Sequence, residues 1–85
     1  MDETNPYLAD AFMEVVENQI ASNDPPETRQ TLDRLMSEGM SEEEAKMYIG
    51  QAVCLEAWDI MKNKREFNLE RFVRNLNDLP KEPTE

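Results

Sequence analysis

The sequence predicts an all-α fold: a small antiparallel bundle of three main helices with a short fourth at the C-terminal end. Three observations predict it. Helix start and stop signals divide the 85 residues into four segments. Within each segment, apolar residues recur at helical spacing. No run alternates polar and apolar residues over a β-rich composition, so strands are not expected. A chain this short supports one domain, 1–85, with 1–4 and 80–85 as flexible ends. The connections are short, which makes successive helices antiparallel neighbours.

The first segment opens at Asn5-Pro6, a capping side chain followed by a proline whose missing donor costs nothing there. Leu8, Ala11, Phe12, Val15, Val16 and Ile20 then mark its apolar side. Asn23-Asp24-Pro25-Pro26 ends that helix and starts the next, with Asp24 as the expected cap and Pro25 as the first helical residue. The second helix carries Leu32, Leu35 and Met36 and stops at Gly39, a residue free to take the left-handed conformation of a C-terminal cap. Ser41 with Glu44 forms a capping box, and Glu42, Glu43 and Glu44 suit the positive end of the third helix. Lys62, Lys64 and Arg65 complement its negative end. Asn68 caps a fourth helix bearing Leu69, Phe72, Val73 and Leu76, and Pro80 and Pro83 break the chain into a frayed tail.

The third helix, Ser41 to Asn63, is apolar on two opposite sides. Ala45, Ile49, Ala52, Val53 and Ile60 form one stripe, and Met47, Cys54, Trp58 and Met61 form the other. Such a helix must be central, or must lend its second face to a partner. Helices one and three are the expected central pair, with Phe67, Phe72 and Leu76 closing one end of the core. The fourth helix or the loop at Lys64–Phe67 could cover Trp58. A helix of about three turns is too short for a stripe of four, which favours a homodimer through Met47, Cys54, Trp58 and Met61, with acids such as Glu43 at the rim.

Lys and Arg number 9 against 19 Asp and Glu, a net charge of −10. That charge disfavours nucleic acid and anionic membrane surfaces. It fits solubility, a basic protein partner or an acidic mimic of nucleic acid. No stretch is apolar for long enough to span a bilayer, and Met1-Asp2-Glu3 is unlike a secretory signal. The single Cys54 suits a reducing compartment, so a cytoplasmic location is expected.

The sequence has no histidine, which removes the commonest general base and metal ligand together. Neither an enzyme nor a cofactor is expected. Cys54 has no activating base and sits mid-helix, so it reads as a packing residue. Glu56 falls within the Ala45–Ile60 stripe with Asp59 at its margin, and Gln19 falls among the core positions of helix one. A buried carboxylate needs a partner, and Arg29, Arg34, Arg71 and Arg74 are the candidates for Glu56. The alternative is a carboxylate metal or ligand site using Glu17, Glu56 and Asp59, with Glu14 nearby in sequence.

Asn5-Pro6-Tyr7-Leu8, Val16-Glu17-Asn18-Gln19-Ile20 and Asp24-Pro25-Pro26-Glu27-Thr28-Arg29 together resemble the opening of a small bacterial helical family, domain of unknown function 1841. That family shows N-P-F-L-H, a second histidine four residues later, E-E-Q and a P-P-x-x-R turn. Its two histidines and the glutamate after them look like a metal-ligand row. The matching positions here are Ala9, Met13 and Glu17. The resemblance therefore implies a member that kept the scaffold and packed over the site. A small accessory or interaction protein is the function the sequence favours.

Overall fold

Residues 6–84 are described in a computed structural model, with side chains over 11–84. They form α1 (Pro6–Ser22), α2 (Pro26–Ser37), α3 (Glu42–Asn63) and α4 (Leu69–Asp78), with no strand among them. The expected cap Asn5, the 1–4 end and the side chains of Leu8 and Ala9 lie outside the described residues.

Local chemistry sets most of the boundaries. Asn23 takes the left-handed conformation (φ 56°) that ends α1, as asparagine tolerates. The start of α2 differs from expectation: Pro25 is extended at the N-cap (φ −76°, ψ 151°), and no side chain caps the helix. Pro26 disfavours the helical region for the residue before it, so Pro25 cannot begin the helix and Asp24 is one residue too early to cap it. At the other end, Gly39 (φ 109°) completes a Schellman turn. Its N–H donates to Met36 O (3.1 Å), and that of Met40 donates to Leu35 O (3.2 Å). The Ser41–Glu44 capping box forms in both directions, at 3.1 and 3.2 Å. Lys64 ends α3 in a left-handed turn (φ 57°), and Asn68 Oδ1 accepts the Arg71 N–H (3.0 Å) to cap α4.

Among the described residues α2 and α3 each pack on all three other helices, whereas α1 and α4 do not meet. The expected α1–α3 pairing is present and is the most extensive helix contact, but α2 shares the centre with α3, because α4 covers those two helices and not α1. Thr28 and Thr31 kept this from view in the sequence: both are buried on α2 beside Leu32 and Leu35, and their hydroxyls made that face look polar. The described part of α1 contributes one fully buried apolar side chain, Val16, with Phe12 and Ile20 partly buried against it. Ala45, Ile49, Ala52 and Val53 of α3 and Phe72 and Leu76 of α4 complete the core, with Leu79 beyond α4. Removing these apolar side chains from water is the main stabilising term.

Three further expectations change. Ile60 is 39% exposed, whereas its neighbour Asp59 and Glu56 one turn earlier are buried against α4. Phe67 is also partly exposed, at 45%, and packs tilted against buried Phe72, ring centroids 5.4 Å apart, rather than sealing the core itself. The tail beyond Pro80 is tethered: buried Asn75 donates to Thr84 O (2.9 Å) and accepts the Thr84 N–H (3.0 Å).

At about 1.5 Å per residue, the 22-residue α3 is about 33 Å long, and the molecule measures 34 Å along its longest axis. Helices of 17, 12 and 10 residues pack around that rod. Among the described residues, one side of it stays open.

Candidate functional site

The open side is the second apolar stripe. Met47 is 60% exposed, Trp58 53% and Met61 71%, and Cys54 is a free, exposed thiol. With Gln51, these residues follow a four-three-four-three spacing, the geometry of a helix-pairing seam. Beside the stripe lies a groove of about 480 Å³, bounded by Phe12 and Met13 of α1 and by Glu43, Met47, Gly50, Gln51 and Cys54 of α3. Gly50 forms its floor. A Cβ there would meet only the Met13 sulfur, at 4.0 Å. On the other flank, Glu82 and Pro83 of the tethered tail share a depression with Cys54, Leu55 and Trp58. The Lys62 ammonium stands 5.2 Å from the Trp58 ring centroid, a cation–π contact that leaves half of the indole in solvent.

The carboxylates expected to need partners find them. Arg71 Nε donates to Glu56 Oε2 (2.6 Å) and its Nη2 to Glu56 Oε1 (2.9 Å), a bidentate fork. The same Nη2 reaches Asp59 Oδ2 (2.8 Å). The Asn68 N–H donates to Glu56 Oε1 (3.1 Å) and the Asn63 amide to Asp59 Oδ1 (2.7 Å). Arg71 is thus the partner of Glu56, and the network binds α4 to the C-terminal half of α3. Hydrogen bonds from Arg71, then Asn63, hold the Asp59 carboxyl below its ordinary value despite burial. Glu56 and Asp59 in turn raise the Arg71 guanidinium. Gln19 is satisfied too, its Oε1 accepting the hydroxyl of buried Thr28 at 2.8 Å. No buried side-chain polar atom among the described residues lacks a partner.

Glu17 does not join Glu56 and Asp59. It takes Lys46 Nζ at 2.8 Å, and Lys46 also contacts Glu42 at 3.0 Å, near the start of α3. These bonds, Glu17 first, raise the Lys46 ammonium. The alternative carboxylate site is not assembled: two members are held by Arg71 and the third by a lysine of another cluster. No group of three or more potential metal ligands occurs among the described residues. Met13 borders the α1–α3 groove.

Comparison with known proteins gave no matching family model, no matching curated protein and no matching solved structure. No helix among the described residues is long and apolar enough to cross a membrane. The stripe residues were visible in the sequence because they share a helical face. Phe12, Met13 and Gly50 were missed as its neighbours, since a groove between two helices leaves no periodic signal. The tail was missed because a clamp nine residues apart in sequence depends on where α4 sits.

Proposed function

We propose that this protein is an interaction module that acts through the exposed α3 face, and that its partner is a second copy of the chain. The half-exposed Trp58, flanked by exposed Met47 and Met61, is the observation that carries the reading. Tryptophan and methionine are enriched in the cores of protein interfaces, where a few such anchors supply most of the affinity. A standard interface takes about 800 Å² from each partner, about a seventh of the 5887 Å² surface of this chain. A binding role is favoured over a catalytic one because the shifted groups are spent on each other: Arg71 on Glu56 and Asp59, and Lys46 on Glu17 and Glu42. The free Cys54 thiol suits a reducing cytoplasm. The resemblance to the histidine-bearing family fits a scaffold that has exchanged a ligand row for an apolar contact surface at Met13.

Size-exclusion chromatography with light scattering tests the reading. The expected result is a concentration-dependent dimer that Trp58→Ala weakens on the order of 30-fold, the effect of one interface hot spot, with helical content unchanged. A chain that stays monomeric at every accessible concentration would remove it.

A further inference from the structure

The polarity of α3 specifies how a second copy would sit, an inference that rests on the dimer reading above. The two ends of this helix carry opposite charge: Glu42, Glu43 and Glu44 at its start, Lys62, Lys64 and Arg65 at and just beyond its end. Two parallel copies would lay acid against acid and base against base. Two antiparallel copies lay each acidic end beside the basic end of the other. On a chain of net charge −10, where whole-body electrostatics oppose association, this local match decides the orientation.

Side-chain size points the same way. Trp58 lies four residues after Cys54, and Gly50 lies four before it, about 6 Å along the helix in each direction. An antiparallel crossing centred near Cys54 therefore brings the large indole of one copy to the level of the glycine of the other. The groove floored by Gly50 and walled by Met13 and Met47 is open there. A parallel crossing would set indole against indole and leave both glycine grooves empty. We infer that the protein forms a two-fold dimer through antiparallel α3 helices crossing near Cys54, with Trp58 of each copy seated in the α1–α3 groove of its partner. Such an interface is isologous and closes on itself, so it stops at two copies.

Cross-linking in a Cys54→Ala background separates the orientation from the dimer itself. In the antiparallel arrangement, residue 47 of one copy lies near residue 61 of the other, while two copies of residue 47 stand about 20 Å apart along the helices. A short bis-maleimide is expected to link a mixture of the Met47→Cys and Met61→Cys variants and to leave Met47→Cys alone unlinked. Self-linking of Met47→Cys without cross-linking of the mixture, in a protein that still sediments as a dimer, overturns the antiparallel register and leaves the dimer reading standing. A Cys54→Ala background protein that sediments as a monomer, when the unmodified chain does too, overturns both and leaves the face to a foreign partner. Charge reversal gives an independent check. Glu43→Lys should weaken self-association at least several-fold, and mixing it with a Lys64→Glu, Arg65→Glu variant should restore pairing. Failure of that rescue, with both variants folded, also counts against the register.

Discussion

Arg71 shows how much one side chain organises here. It holds two carboxylates of α3 at once, and buried charges survive only when paired and hydrogen-bonded. Arg71→Leu strands Glu56 beside Asp59, and a loss of about 3–5 kcal/mol is expected in urea unfolding. Replacing Glu56 and Asp59 with leucine and asparagine in the same chain should recover most of that loss, because the stranded charges go too. The network also sets a pH dependence. The Asp59 carboxyl is held below its ordinary value, so its contribution is fully present above about pH 4, the unfolded carboxylate range. It is lost as pH falls through the lowered folded value. Lys46 works in the opposite sense. Its raised ammonium contributes fully below the ordinary lysine value and loses that contribution only as pH climbs past it. The urea midpoint should therefore be flat across neutral pH with respect to both groups and fall at either extreme. Asp59→Asn should flatten part of the acid limb, and Lys46→Met part of the alkaline one.

At the scale of the helix, the boundaries follow from contacts within a few residues. Ser41 and Glu44 satisfy each other's backbone donors across one turn, and Gly39 supplies a positive φ that a side chain would strain. Ser41→Ala should cost about 1 kcal/mol, and Gly39→Ala a similar amount, each read as a lower thermal midpoint with the fold retained. These features were legible because capping is local chemistry. Pro25 was misplaced for an equally local reason, the restriction imposed by the proline after it. Asn75 is different, being an α4 residue whose amide clamps Thr84 of the tail. Asn75→Ala should release the 80–84 segment, seen as faster amide exchange at Thr84 and a shift in Trp58 fluorescence, since Pro83 shares a depression with that indole.

The whole molecule is a short acidic body built around a helix as long as itself. Two such bodies repel over the Debye length, about 30 Å at 0.01 M salt, which exceeds the molecule's smallest dimension of 25 Å. At 0.15 M the length falls to about 8 Å, so remote charges drop out while contacts at the interface rim persist. Dimerisation should accordingly tighten between these two salt concentrations in sedimentation equilibrium. Weakening over the same range would show that attraction between charges, rather than burial of Trp58, Met47 and Met61, drives association.

Residue order alone determined the number of helices, most of their ends, the two-sided apolar pattern of α3 and the need of Glu56 for a cation. Each depends on spacing along one helix or on the cost of burying a charge, and neither requires knowing which helices meet. Only the tertiary structure decided that α2, as well as α1, packs along α3 and that α2 alone of the two reaches α4, that Arg71 among four arginines takes Glu56, and that the tail is clamped by Asn75. Those outcomes hinge on residues distant in sequence becoming neighbours. A polar side chain such as Thr28 could be buried there because a tertiary contact, to Gln19 of α1, met its hydrogen-bonding need.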